Sequence, residues 1–221
     1  MAAGEKIRVW DIPTRLFHWL LVGLFCFSWW SAENRSMDWH RNSGTAVLAL
    51  VLFRWMWGVI GSNTARFASF VRSPMAVLTH WRLGRAAPRR PGHNPLGGYS
   101  VVALLLLLTM QITTGLLAVD VDGIESGPLS FLLPFDDGRI AARIHHLSFN
   151  LLLAVISVHV VAILFYLVVR KRNLIRPMFT GLDSDFDREA TALVPASKAR
   201  FALAAVIVAG LAWWISNGLK F

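Results

Sequence analysis

Two histidines stand fourteen residues apart on one apolar stretch, His145 and His159 in HHLSFNLLLAVISVH, and a second pair, His18 and His40, flanks the first hydrophobic run of the chain. On a helix, fourteen residues make almost four turns, about 40° off register, with roughly 21 Å of rise. Both imidazoles then face the same way at two depths. An ionisable side chain inside a membrane span is costly and marks a functional site by default. Neutral imidazole is an iron ligand, so four histidines at two depths predict two haems stacked across a bilayer.

The elements that must position them are membrane spans. Hydrophobic residues make up 55% of the chain and charged residues 16%, with ten Trp and fourteen Phe. Long apolar runs cover Leu16 to Ala32, Thr45 to Ile60 broken only by Arg54, Tyr99 to Val119, Leu147 to Val169 and Phe201 to Leu219. Each is near the roughly 20 residues that cross a hydrocarbon core. The chain therefore reads as an all-α integral membrane protein. A four-helix haem-binding transmembrane bundle fills residues 1–181, with spans at about 14–32, 41–61, 95–119 and 140–170. A polar connector over 182–199 leads to a fifth transmembrane helix over 200–219. The amino-terminal run has the rough shape of a secretory signal but is too long and lacks an Ala-x-Ala site before Glu33, which predicts an uncut, membrane-resident segment. The one cysteine, Cys26, excludes an intrachain disulfide, and without a C-x-x-C-H sequence any haem is non-covalent and b-type.

Loop charges give a direction. Arg66, Arg72, Arg82, Arg85, Arg89 and Arg90 follow the second span without an acidic residue among them, which predicts a cytoplasmic loop. Asp120, Asp122, Glu125, Asp136 and Asp137 follow the third span without Lys or Arg, which predicts the periplasmic face. Arg170, Lys171, Arg172 and Arg176 again mark the inside, so the amino terminus lies in the cytoplasm and the carboxyl terminus outside a bacterial inner membrane. The net charge of +9 is then a topology signal facing anionic lipid, and nucleic acid is excluded as a partner. Ser73-Pro74 predicts a short interfacial helix from Met75 to Arg85, and Trp10, Trp39, Trp81 and Trp213 are expected near headgroups.

With this direction, His18 and His159 fall toward the inner face and His40 and His145 toward the outer one. Each pair supplies two imidazole nitrogens to one six-coordinate iron, an arrangement for electron transfer rather than oxygen binding. Arg54 follows His40 by the same fourteen residues and so sits at the inner depth. None of the five spans offers an acid there, and a haem propionate would serve as a bidentate partner. Gly44, one turn from His40 on the same face, leaves room for a porphyrin. Taken singly, each residue has a plainer reading. His40 near a helix end can be satisfied by water, Arg54 can snorkel or bind carbonyls, and His80 and His93 belong to a surface loop. The matched depths favour the joint reading, and spacing selects His145 over His146, which points about 100° away.

The segments VWDIPTRLFHWLLVGLF, LFRWMWGVIGSNTARFASFVRSP, GHNPLGGYSVVALLLLLTMQITTGL and IHHLSFNLLLAVISVHVVAI resemble the bacterial cytochrome b561 family, which includes the b-type subunit of nickel-iron hydrogenases. The similarity spans residues 7–181. It implies a four-helix core with two b haems on ligands that match His18, His40, His145 and His159. It also implies a periplasmic redox partner, such as a c-type cytochrome or a hydrogenase, and exchange with the quinone pool of a respiratory chain, so a bound quinone is a further candidate cofactor. The family commonly carries an acid after the first histidine of span four, where this chain has His146. Two other readings stay open here: a stand-alone superoxide:quinone oxidoreductase, and a non-redox scaffold or transporter. The role of the fifth span and self-association into a homo-oligomer also stay open.

Overall fold

The computed structural model of the chain describes residues 6–83, 92, 95–183 and 193–220. Arg85, Arg89, Arg90, His93 and positions 184–192 of the connector lie outside the described residues, as do the side chains of His80 and Trp81. In chain order the elements are β1 (Ile7–Arg8), α1 (Ile12–Glu33), α2 (Met37–Ile60), α3 (Phe67–Phe70), α4 (Pro74–Leu83), α5 (Pro95–Leu117), α6 (Phe135–Val168), α7 (Ile175–Thr180), β2 (Leu182–Asp183) and α8 (Lys198–Ser216), with a 3-10 turn at Ser130–Leu132. Among them α1, α2, α5, α6 and α8 are long and apolar enough to cross a membrane.

Local chemistry sets the helix ends. The Asp11 carboxylate accepts from the Thr14 backbone N–H at 2.8 Å and caps α1, with Pro13 in the first turn, where its missing donor has no helical partner. Arg35 in the left-handed region (φ 56°) reverses the chain after α1, and Ser36 N–H returns to the Ser31 carbonyl at 2.8 Å. Helix α6 starts at Phe135, five residues before the span expected at 140, because Asp136 and Asp137 are first-turn residues that favour the positive end of the helix dipole. They extend the helix without extending its apolar part. Its 34 residues make one unbroken rod about 51 Å long, well over the roughly 30 Å of hydrocarbon.

The fold has two compact units, and α1, α2, α5, α6 and α8 each contribute to both. One unit comprises Met1–Phe17, Arg54–Ala103 and Val158–Ala202. Here β1 pairs antiparallel with β2, Ile7 opposite Asp183 and Arg8 opposite Leu182, a pairing absent from the sequence expectation of a plain connector. Val9 N–H continues it by donating to the Gly181 carbonyl at 2.8 Å. Gly181 ends α7 at φ 77°, and a Cβ there would stand 2.9 Å from the Trp10 carbonyl. Trp10 is thus drawn into this unit's core at 8% exposure, whereas Trp39 (61%) and Trp213 (58%) are exposed.

The other unit comprises His18–Phe53, Leu104–Ser157 and Leu203–Phe221. Its core includes Val47, Leu48 and Val51 of α2, Leu105 and Leu108 of α5, and Leu152 of α6. Helix α8 adds Ala204, Val208 and Ala212, spaced by four along one buried face. Small residues let helix backbones approach closely, so the fifth span is packed into this unit. Outward-facing Leu106, Leu147, Leu151, Val206 and Trp213 remain exposed, as lipid contact requires.

Ala204→Phe forces a large ring into a position with 0% exposure and should destabilise the protein by about 1–3 kcal/mol, seen as a lower Tm in detergent. Val206→Phe, on the outward face at 71% exposure, should leave Tm essentially unchanged.

Candidate haem-ligand site

Helices α1, α2, α5 and α6 each bring one part of a histidine cluster together within the second unit. His40 lies in the first turn of α2, and its Nδ1 is 2.9 Å from the Ser28 carbonyl of α1, with the Ser28 hydroxyl at 3.2 Å. His145 lies ten residues into α6, and its Nδ1 is 2.8 Å from the Gln111 carbonyl of α5. A carbonyl oxygen only accepts, so in both rings Nδ1 carries the hydrogen and Nε2 keeps its lone pair. The two ring centres are 6.2 Å apart and the planes perpendicular.

Two small or polar residues of α5 shape this pocket. A Cβ on Gly115 would stand 2.8 Å from His145 Cε1 and 3.0 Å from its Nδ1, so only glycine lets the imidazole lie against the helix. Gln111 is wired at both ends: the Ser148 hydroxyl donates to its Oε1, and its amide donates to His145 Nε2 at 3.1 Å. Metal ligation at that nitrogen requires the amide to turn aside. Gly44 differs from Gly115, since a Cβ there would meet no atom within 4 Å. Protein packing alone does not demand glycine at 44.

His146 lies beside His145, their ring centres 6.2 Å apart. His146 is exposed, whereas His145 is half buried. His18 on α1 is half buried in the second unit, edge-on to Trp19 at 4.9 Å, and His159 on α6 is half buried in the first. Arg54 in the first unit is only 2% exposed. Its Nη1 donates to the Ala65 carbonyl at 3.1 Å and its guanidinium lies 5.1 Å from the centre of the Phe67 ring, while Nη2 has no hydrogen-bond partner among the described residues. The acid that interacts with its charge is Asp11. That carboxylate sits one residue ahead of α1, outside every apolar run, yet the Thr14 N–H and the Trp57 indole N–H at 2.9 Å hold it buried at 7% exposure. A search confined to the spans misses it.

A family model of prokaryotic cytochrome b561 matches residues 9–181. The chain belongs to the prokaryotic cytochrome b561 family. Searches of curated proteins and of solved structures return no match. Membership makes this cytochrome a multi-pass, b-type haem protein of membrane electron transport.

The residues of the second unit suit such a group. Among the described residues no cluster of three or more His, Cys, Asp or Glu could hold a metal alone. Two facing imidazoles therefore suit a metal that arrives with equatorial donors of its own, as porphyrin iron does. The carbonyl bonds to Nδ1 are the kind of outer contact that orients a ligating histidine and raises its basicity. Ser28, Gln111, Gly115 and Ser148 were not picked out from sequence. The available signal was a lone amide in an apolar span with a glycine one turn further on, facing the same way.

Gly115→Ala should push the His145 ring out of place, changing the optical spectrum of the bound haem and lowering Tm. Gly23→Ala, where a Cβ meets nothing within 4 Å, should change neither.

Proposed function

We propose that this cytochrome carries electrons across a bacterial inner membrane through two non-covalent b haems, between a periplasmic redox protein and the quinone pool. The observation that carries the reading is the 6.2 Å between the ring centres of His40 and His145. A metal about 2 Å from one nitrogen of each of two imidazoles sets their centres about 6 Å apart. When bound, six-coordinate haem supplies one-electron exchange between ferric and ferrous iron. His40 and His145 would hold the outer haem iron, and the carbonyls of Ser28 and Gln111 keep both rings in the tautomer that carries its hydrogen on Nδ1. The inner pair, His18 and His159, rests on helical spacing and on the family resemblance. Arg54 offers Nη2, a buried donor, to a propionate, a geometry guanidinium suits. Gly44 gives the outer haem a helix face without a side chain.

The arginine-rich loops support an inward amino terminus. In the acidic loop after α5, Val121 (71% exposed) and Ile124 (79%) alternate with the exposed acids Asp122 and Glu125. Such a surface favours docking of a cationic soluble partner, such as a lysine-rich c-type cytochrome. Superoxide oxidation calls instead for a basic approach to the outer haem. Arg41, one of the few arginines on that side, is ion-paired with both Asp38 and Glu125, which weakens that alternative.

Reduced-minus-oxidised spectra with haem quantitation should give two haems per chain, one in His145→Ala, one in His159→Ala and two in His146→Ala. Gly44→Leu should lose the same haem as His40→Ala. Retention of both haems in His145→Ala would overturn the assignment.

A further inference from the structure

The first unit holds a second candidate site, beyond the carboxyl end of α6. Helix α6 ends at Val168, and the chain then folds back: Arg170 N–H returns to the Phe165 carbonyl at 3.2 Å and Arg172 N–H to the Tyr166 carbonyl at 2.9 Å, with Lys171 left-handed at φ 55°. Three successive cations are gathered into one tight turn. Helix α7 adds Arg176, and the β1–β2 pairing brings Lys6, just ahead of β1, to the same place. The result is an open pocket of about 340 Å³ whose lining, among the described residues, includes Lys6, Arg170, Lys171, Arg172 and Arg176 against one acid, Asp183. Asp183 lies 3.7 Å from Arg172 and offsets one of these five charges. A concave surface with so large a cation excess concentrates anions, and guanidinium groups match phosphate oxygens in particular.

The surroundings select the source of that phosphate. The last two turns of α6 expose Val161 (64%), Leu164 (48%), Phe165 (46%) and Val168 (59%). Their spacing of three, four and seven residues puts them on one stripe that rises about 10 Å toward the pocket. Arg170 bridges the two regions, its guanidinium 6.0 Å from the centre of the Phe165 ring. A cationic pocket directly beyond a lipid-facing apolar stripe matches a phospholipid, head and tail together. We infer that this pocket binds the headgroup phosphate of one anionic phospholipid, with an acyl chain along the α6 stripe. On the topology proposed above it faces the cytoplasmic leaflet, where basic pockets at helix ends meet anionic lipid. The inference rests on membrane residence and not on which histidines ligate iron.

Native mass spectrometry of the haem-loaded, full-length protein, released from detergent containing equal phosphatidylglycerol and phosphatidylcholine, tests it. One phosphatidylglycerol should be retained per chain, with a preference of at least about tenfold. Replacing Arg170, Lys171 and Arg176 together by Gln should abolish the preference at unchanged haem content. The single Arg176→Gln variant gives a smaller loss if the triple variant does not fold. Arg170→Lys with Arg176→Lys should keep the preference, as should Arg66→Gln with Arg72→Gln at exposed arginines elsewhere in the unit. Equal retention of the two lipids would overturn the proposal. So would an unaltered preference in the Gln variants, equal loss in the Arg66 and Arg72 control, or displacement of the lipid by millimolar inorganic phosphate.

Discussion

A neutral imidazole inside a membrane has one N–H that must find an acceptor, and there is no water in the hydrocarbon to provide it. In the second unit that need is met by main-chain carbonyls: Ser28 of α1 for His40, and Gln111 of α5 for His145. Each carbonyl belongs to a helix other than the one carrying the histidine. Two hydrogen bonds therefore tie α1 to α2 and α5 to α6 and fix both tautomers with the hydrogen on Nδ1. Gly115 follows from the same constraint, because the imidazole reaches the α5 backbone only where no Cβ intervenes. The ligand geometry and the helix packing are one problem with one solution.

The first unit meets a harder version of the constraint. Arg54 is a buried cation, partly satisfied by the Ala65 carbonyl and the face of Phe67, with Asp11 as its acidic neighbour. Asp11 at once caps α1 and binds the Trp57 indole. Removing any one of these groups leaves a buried polar partner exposed to a low-dielectric interior, which costs more than a single hydrogen bond is worth. Among the described residues the buried Nη2 of Arg54 has no hydrogen-bond partner.

Much of this was legible in the sequence because the bilayer imposes simple rules. Span lengths, loop charges and the fourteen-residue spacing yield five membrane helices and a set of histidines before any coordinates are seen. Less legible was everything decided by the backbone of a neighbouring helix. Any residue has a carbonyl, so nothing in the side chains of Ser28 or Gln111 announces that their carbonyls serve histidines. The β1–β2 pairing depends on two short segments more than 170 residues apart, too short to show a period. Asp11 lies just outside the apolar run and so escaped a depth argument built on runs. Helix α6 begins ahead of its apolar run for a related reason, since hydropathy marks the membrane while helix caps mark the helix.

The proposed electron transfer through two bis-histidine haems implies that both irons would be six-coordinate in the resting protein. Electron paramagnetic resonance of the oxidised, purified wild-type protein reads this directly from the iron spin state. The arrangement described predicts two low-spin ferric signals of equal weight and no high-spin signal. A high-spin signal of comparable weight, or a single haem signal per chain, would contradict it.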